Sequence, residues 1–419
     1  MELAPPRGTT DLLPAESERM RRLYDLAHRL ATLYGYRYVE TPAFESTELF
    51  VRTSGASSDV VQKEMYTFED KGGRQLTLRP EGTAPVVRAV LGASGEVSLP
   101  FKGYYVEPMW RYGRPQKGRL REFRQFGVEL VGSALPAADA ETILLGHEYL
   151  QLAGIRDLRL EVNSLGDWRC RPAYRERLLA YLEANRERLR DEHRDRFREN
   201  PLRVLDCNDD SCKAVARDAP KIVDNLCAPC RDHYDGVLRA LDDEGLAFQQ
   251  VDTLVRGLDY YVRTAFEYVT PALPEGQASV GGGGRYDGLA EVLGLTPTPG
   301  VGFALGLERI LIALDAGGVR DPGARSGVFV VTVGPRAFPA GKELVRAFRR
   351  AGVPAQAPFK DRPLNAQFRM ADRSGAAYAA VLGPRELSEK TVTVRRLVDG
   401  EEETLPRDEA VQRLTSGDV

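Results

Sequence analysis

Six basic side chains crowd the fourteen residues from Arg111 to Arg124, against one acidic group, Glu122. Gly113, Pro115 and Gly118 interrupt regular structure there, so the stretch reads as a flexible cationic loop. Guanidinium groups fork onto phosphate oxygens. The loop suits a polyphosphate or an RNA end; taken alone it is equally a solvated surface loop. In Leu78-Arg-Pro-Glu-Gly-Thr83, Glu81 stands at a strand-to-helix turn. Its carboxylate can hold an ammonium or imidazole group, or it and Thr83 can cap a helix. Leu254-Val-Arg-Gly-Leu-Asp-Tyr-Tyr261 offers Arg256, two phenol rings and Asp259 to orient a neighbour, or else a core strand with an Arg–Asp pair. Four glycines at 281–284 run into Arg285-Tyr-Asp-Gly288, which permits close backbone approach to a ligand or makes a tight turn. No Gly-Lys-Ser/Thr follows, so this is not a Walker A loop. In Gly300-Val-Gly-Phe-Ala-Leu-Gly-Leu-Glu-Arg309, small residues lead into a helix that carries Arg309. A ring can lie on that flat surface while Arg309 reaches a phosphate, or the segment is plain strand–helix packing. Its spacing is not Gly-x-Gly-x-x-Gly. The set points to an enzyme acting on a nucleotide polyphosphate, with Arg111, Arg256 and Arg309 as its central tools.

Other chemistries fit less well. The four histidines, His28, His147, His193 and His233, fall outside these stretches, which argues against a histidine-based triad. Cys207-x4-Cys212 and Cys227-Ala-Pro-Cys230 have the pairing of a four-thiolate zinc knot, while unligated thiols in a helical insert are the alternative. Cys170 stands alone. The net charge of −3, from 58 basic and 61 acidic residues, gives no whole-chain sign of a nucleic-acid partner. Such a partner needs a local basic patch. No stretch approaches the ~20 apolar residues of a membrane span, and the N-terminus lacks a secretory apolar core. A cytoplasmic protein is expected.

The elements that must position these residues follow from periodicity. Residues 16–34 have apolar side chains at helical spacing, stopped by Gly35. A short strand, Tyr36 to Glu40, follows; Tyr66–Phe68 and Gln75–Arg79 form a hairpin about Lys71-Gly72-Gly73. Helix 83–91, strands Tyr104–Trp110 and Phe123–Val131, helix 138–153 and strand Leu158–Val162 come next. Residues 168–248 are dense in Arg, Glu and Asp with Leu at helical spacing, a helical insertion. Strands return at Thr253–Arg256 and Thr264–Val269. Gly317-Gly318 and Asp321-Pro322-Gly323 read as a linker. Beyond it, strands at Val328–Val333, 354–358 and 377–382 alternate with helices 341–351 and 364–375, a small α/β domain.

Together and in this order, the stretches resemble the histidyl-tRNA synthetase family of class II aminoacyl-tRNA synthetases. Arg7-Gly-Thr-Thr-Asp-Leu-Leu-Pro14 is similar to the family's N-terminal signature. Thr41-Pro-Ala-Phe-Glu45 looks like class motif 1, which implies a homodimer. Residues 104–131 look like motif 2 and 300–309 like motif 3. Leu254 to Tyr261 and Gly283-Gly-Arg-Tyr-Asp-Gly-Leu289 look like the two histidine-specific motifs.

The resemblance implies an α+β fold: an antiparallel sheet flanked by helices, a helical insertion and a C-terminal α/β anticodon-binding domain. It divides the chain into catalytic parts 1–167 and 249–318, insertion 168–248, linker 319–326 and anticodon-binding domain 327–419. It implies that L-histidine is activated by ATP with Mg²⁺ to histidyl-adenylate and then transferred to the 3′ end of tRNA(His). Arg111 and Arg256 would hold the α-phosphate, Arg256 replacing a metal ion used by other class II enzymes. Arg309 and Arg119 would hold the γ-phosphate. Histidine would sit against Glu81, Gly82, Thr83, Gln125, Glu129, Tyr260 and Tyr261. Gln116 and Arg121 are candidates for the tRNA acceptor end. Any zinc at Cys207, Cys212, Cys227 and Cys230 would lie outside the catalytic machinery. The chain departs from the family at Gly113, where relatives usually carry Glu, and in Arg121-Glu-Phe-Arg-Gln125, where they read Arg-Gln-Phe-His-Gln. The rival is a catalytically inactive paralogue that regulates ATP phosphoribosyltransferase in histidine biosynthesis. It tends to lose the C-terminal domain and motif residues that this chain retains.

Overall fold

Hydrophobic periodicity and glycine stops translate into strands and helices in the expected order. The computed structural model describes residues 3–54, 60–93, 95–115, 118–205, 207, 209–255, 260–274, 276–319 and 325–416. It divides into two units, Met1–Arg320 and Asp321–Val419.

The first unit contains Arg37–Tyr38 (β1), Phe44–Ser46 (β2), Tyr66–Glu69 (β3), Gln75–Leu78 (β4), Phe101–Trp110 (β5) and Glu122–Val131 (β6). Arg159–Ser164 (β7), Gln249–Gln250 (β8), Val262–Val269 (β9), Ser279–Arg285 (β10) and Gly300–Gly306 (β11) complete it. Eight of these form one sheet in the order β1-β5-β6-β11-β10-β9-β7-β8. Its interior is antiparallel, and only the short β1 and β8 pair parallel at its edges. Strands β2, β4 and β3 make a separate small sheet.

Successive side chains on a strand point to opposite faces. Tyr104, Phe126, Val128, Phe303, Leu305, Phe266, Tyr268, Leu160 and Val162 therefore turn to one core. Helices Glu16–Leu33, Pro136–Leu152 and Leu307–Ala316 cover it through Met20, Leu23, Leu30, Ile143, Tyr149, Ile310 and Leu314. The opposite face mixes polar groups and glycines with smaller apolar clusters, among them Met109 with Val86 and Val90, and Val131 with Val87. The insertion begins with helix Arg171–Ala184 and ends with helix Ala228–Asp243, around a core of Tyr174, Leu178, Leu182, Phe197, Val204, Cys212 and Val215. The last helix also reaches the main core through Tyr234, Val237 and Leu241.

One expectation fails here. Thr253–Val255 is not strand; a turn closes from the Leu254 N–H to the Val251 carbonyl, and the Asn163 amide donates to the carbonyls of Asp252 and Leu254. Those bonds satisfy the backbone without a ladder. Arg256 lies outside the described residues. The glycine run, read as allowing close backbone approach or as a tight turn, is strand β10 itself, which excludes the turn. A Cβ at Gly283 would lie 1.9 Å from the Gly302 carbonyl oxygen of β11, so bare backbone lets these strands approach.

In the second unit, Val328–Thr332 (β12), Ala355–Gln356 (β13), Tyr378–Leu382 (β14), Thr391–Arg396 (β15) and Glu402–Pro406 (β16) form a sheet ordered β13-β12-β14-β15-β16. The first three are parallel and the last two antiparallel. Val328, Val330, Ala380 and Leu382 pack on helix Ala337–Arg350, while Phe329, Val331 and Ala379 pack with Ala371 of helix Leu364–Arg373.

Candidate active site

On β6 the core takes Phe126, Val128 and Leu130, which leaves Gln125, Gly127 and Glu129 on the other face beside Tyr105 of β5. A cavity of about 370 Å³ opens there. Two chemical sets line it: Glu81, Thr83, Gln125, Tyr260 and Tyr261, and the arginines Arg111, Arg119 and Arg309. Gly82 lines it too, and it is a glycine because a Cβ there would sit 2.4 Å from the Tyr105 ring.

Glu81 does two things at once. Its Oε2 and Oε1 accept the N–H groups of Thr83 (2.7 Å) and Ala84 (3.0 Å), the first of helix Thr83–Gly92, and the Tyr260 hydroxyl lies 3.5 Å from Oε2. Burial raises its pKa, opposed by those N–H bonds. Glu129 is fully buried beneath the cavity and accepts from the hydroxyls of Thr83 (2.7 Å), Tyr286 (2.5 Å) and Tyr105 (3.5 Å). Burial pushes its pKa up to about 8 against those hydroxyl bonds, with Glu81 adding to the rise. Gly302 is a glycine because a Cβ there would lie 2.0 Å from the Glu129 carboxylate. The Gln125 side-chain oxygen is buried without a hydrogen-bond partner among the described residues.

The arginines are held by backbone carbonyls. Arg111 Nε donates to the Pro80 carbonyl (2.8 Å), and its guanidinium lies 5.3 Å from the Phe123 ring centre. Its terminal nitrogens make no hydrogen bond among the described residues. Arg309 donates to the carbonyls of Gly118 (3.1 Å) and Ser279 (2.7 Å), joining the cationic loop to β10. Burial lowers both guanidinium pKa values from the ordinary one, opposed by Glu64 and Glu81 at Arg111 and by Glu267 at Arg309. Arg119 pairs with Glu64 at 2.5 Å. Arg121 sits 3.9 Å over the Tyr112 ring, and its N–H donates to the Gly8 carbonyl (2.7 Å), so the N-terminal signature docks on motif 2. Arg124 pairs with Glu308 of motif 3 at 3.2 Å. Arg256 and Gln116 lie outside the described residues, as does Asp259.

Several residues of the site were not singled out from sequence. Tyr105 and Tyr286 belong to quoted motifs, but nothing in spacing separates a pocket tyrosine from a core one. Glu64 gives no local signal. It meets the loop where Gly113 lacks a side chain, 3.7 Å from where a Gly113 Cβ would be. The cysteines need a correction: the four do not gather. Cys227 and Cys230 meet Asp167 and Cys170, whereas Cys207 and Cys212 meet His193. Helix Asp210–Arg217 carries Cys212 into the insertion's core, while Cys230 starts the helix that returns to the sheet.

Comparison with known proteins agrees with this geometry. A sequence profile described as histidyl-tRNA synthetase matches residues 8–310, and one described as an anticodon-binding domain matches 327–416. The histidine–tRNA ligase of Moorella thermoacetica is 48% identical over 404 residues, 96% of this chain and 95% of that relative. That of Halothermothrix orenii is 45% identical over 96% of each chain. The crystal structure of apo S. aureus histidyl-tRNA synthetase superposes with a TM-score of 0.80 at 36% identity, covering 99% of this chain and 100% of that one.

Proposed function

The chain belongs to the histidyl-tRNA synthetase family, and from that membership we propose the part each pocket side chain plays. The reaction is that of a class II histidine–tRNA ligase. L-Histidine is activated with ATP to histidyl-adenylate and transferred to the 3′ end of tRNA(His). The full-length match to ligases leaves the inactive regulatory paralogue unfavoured.

Attack of the histidine carboxylate on the α-phosphate needs alignment and charge neutralisation rather than covalent help from the protein. Arg111 and Arg256 take the α-phosphate, where charge builds in the transition state; Arg309 and Arg119 take the γ-phosphate. Mg²⁺ arrives with ATP and neutralises its phosphate charge. Glu81, Thr83, Gln125, Tyr260 and Tyr261 hold histidine, with Glu129 below them and Gly82 allowing the approach. Gln116 and Arg121 serve the tRNA acceptor end. Motif 1, Thr41 to Glu45, lies in the interface of a homodimer, and the enzyme works in the cytoplasm. The domain limits follow the same reading: catalytic parts 1–167 and 249–318, insertion 168–248, linker 319–326 and anticodon-binding domain 327–419.

The observation that carries this reading is the buried Gln125 oxygen, without a hydrogen-bond partner among the described residues, in a cavity that also holds carboxylates, phenols and arginines. Leaving such an atom unpaired costs about 1–3 kcal/mol, and a substrate ammonium supplies the missing donor. Carboxylates and hydroxyls that bond the imidazole reject amino acids that lack the ring N–H, since the buried polar groups would then go unpaired. The test is exchange of labelled pyrophosphate into ATP. Exchange is expected with histidine alone, and Arg111→Ala or Arg256→Ala lowers its rate by about 10²–10³-fold while histidine binding by calorimetry persists. Near-normal exchange in either variant removes its role at the α-phosphate.

A further inference from the structure

Away from the cavity, three thiols and a carboxylate converge where the insertion leaves and rejoins the sheet. The ligand atoms of Asp167, Cys170, Cys227 and Cys230 all lie within 4.8 Å of one another. Cys170 Sγ and Cys227 Sγ are each 3.9 Å from Asp167 Oδ1. Zinc–sulfur bonds of about 2.3 Å in tetrahedral array separate the ligand atoms by about 3.8 Å. The set therefore needs only a slight contraction to close around an ion.

Two turns of the same build deliver these donors. In each, the N–H of the second ligand donates to the carbonyl of the first: Cys170 to Asp167 at 3.2 Å and Cys230 to Cys227 at 3.0 Å. The next N–H does likewise, Arg171 and Arg231 each at 2.9 Å, as each turn winds into its helix. The Asp167 N–H also points at Cys170 Sγ, at 3.4 Å. Gly166 sits at φ +63°, and a Cβ there would lie 2.6 Å from Cys170 Sγ, so the first turn closes only on glycine. Asp167 is fully buried, and its Oδ2 has no hydrogen-bond partner among the described residues. Its counter-charge is Arg263, 3.5 Å away. Asp167 Oδ1 accepts the Arg169 N–H at 2.9 Å and faces the thiols, and one carboxylate with three thiols matches the coordination number and ligand preference of zinc.

We propose that Asp167, Cys170, Cys227 and Cys230 form a structural zinc site that clamps both ends of the helical insertion to the catalytic sheet. The clamp braces the histidine pocket from behind. Arg171 donates to the Tyr261 carbonyl at 3.0 Å, and the Arg263 N–H, on the strand that follows Tyr261, donates to the Gly166 carbonyl at 2.7 Å. Zinc takes thiolates, so loading releases protons and is favoured as pH rises.

The test is zinc analysis of the full-length protein purified without chelators, unaltered and as Cys227→Ser and Cys207→Ser. Both positions are only partly buried, so neither change hollows a core. The unaltered chain and Cys207→Ser are expected to retain about one zinc at this site, with Cys227→Ser losing that equivalent on dialysis and melting at a lower temperature. A zinc-free unaltered chain overturns the proposal, and so does equal zinc content in Cys227→Ser and Cys207→Ser. Cobalt substitution of the unaltered chain gives a reading free of any variant. Strong thiolate-to-cobalt charge-transfer absorption supports the site, and its absence overturns it.

Discussion

Glu129 is the residue whose environment most contradicts its usual chemistry. It is fully buried, surrounded by hydroxyls and close enough to Glu81 to feel its charge, and its pKa is pushed up to about 8. A carboxyl whose pKa is raised by folding binds its proton more tightly in the native state than in the unfolded chain. The stability it contributes is thus complete below the ordinary value of 4.5 and is lost as pH climbs through about 8. Glu129→Gln is neutral throughout and lacks that dependence. Between about pH 5.5 and 8.5, the melting temperature of the unliganded wild type should fall relative to the variant, by roughly 2–4 °C for each kcal/mol involved. Parallel melting curves would mean the carboxyl is ionised across the range. The acidic character of the pocket was legible because Glu81 and Glu129 sit in ordered motifs. The contribution of Glu64 was not, since it joins Arg119 from 55 residues away and through space alone.

Among the elements, a buried ion pair does the positioning that periodicity cannot reveal. Arg79, at the end of β4, lies 2.9 Å from Glu107 of β5, with both side chains 4% exposed. Its guanidinium also donates to the carbonyls of Thr41 (2.7 Å) and Pro108 (3.0 Å). One side chain thereby joins motif 1 to the strand of motif 2 and sets the backbone just before Pro80, whose carbonyl holds Arg111. Removing one partner of such a pair strands the other charge, at a cost of about 3–5 kcal/mol. Arg79→Met should therefore lower the urea midpoint sharply, and Arg79→Met with Glu107→Gln should recover part of the loss. A single variant within about 0.5 kcal/mol of wild type, the range of ordinary surface changes, rules this out. Long elements such as Glu16–Leu33 and Phe101–Trp110 were readable because their apolar side chains repeat at a helix or strand period. The two-residue strand β8 carries too few side chains to show a period, and β10 hides its strand character in glycines.

At the scale of the whole molecule, the two units carry different parts of one reaction. Each has its own hydrophobic core, and the anticodon-binding profile matches only the second. The α/β alternation of that unit was readable as far as β14, whose buried Ala379, Ala380 and Leu382 mark it. Strand β16 escaped because only Leu405 of its five residues is buried, and its Glu-Glu-Thr start looks like loop. The cavity, its arginines and the side chains proposed to hold histidine all lie within the first unit. The chain truncated after Val319 should therefore keep histidine-dependent pyrophosphate exchange within a few-fold of the full-length rate. Transfer to tRNA should suffer far more, because tRNA held at both its acceptor end and its anticodon gains avidity that one contact cannot supply. Losing the second contact typically costs about 10²–10⁴-fold in affinity, which should appear as a raised KM for tRNA in a charging assay. A truncated enzyme that charges tRNA with an unchanged KM would take recognition away from the C-terminal unit. One that loses exchange as well would show that the catalytic sheet depends on that unit to fold.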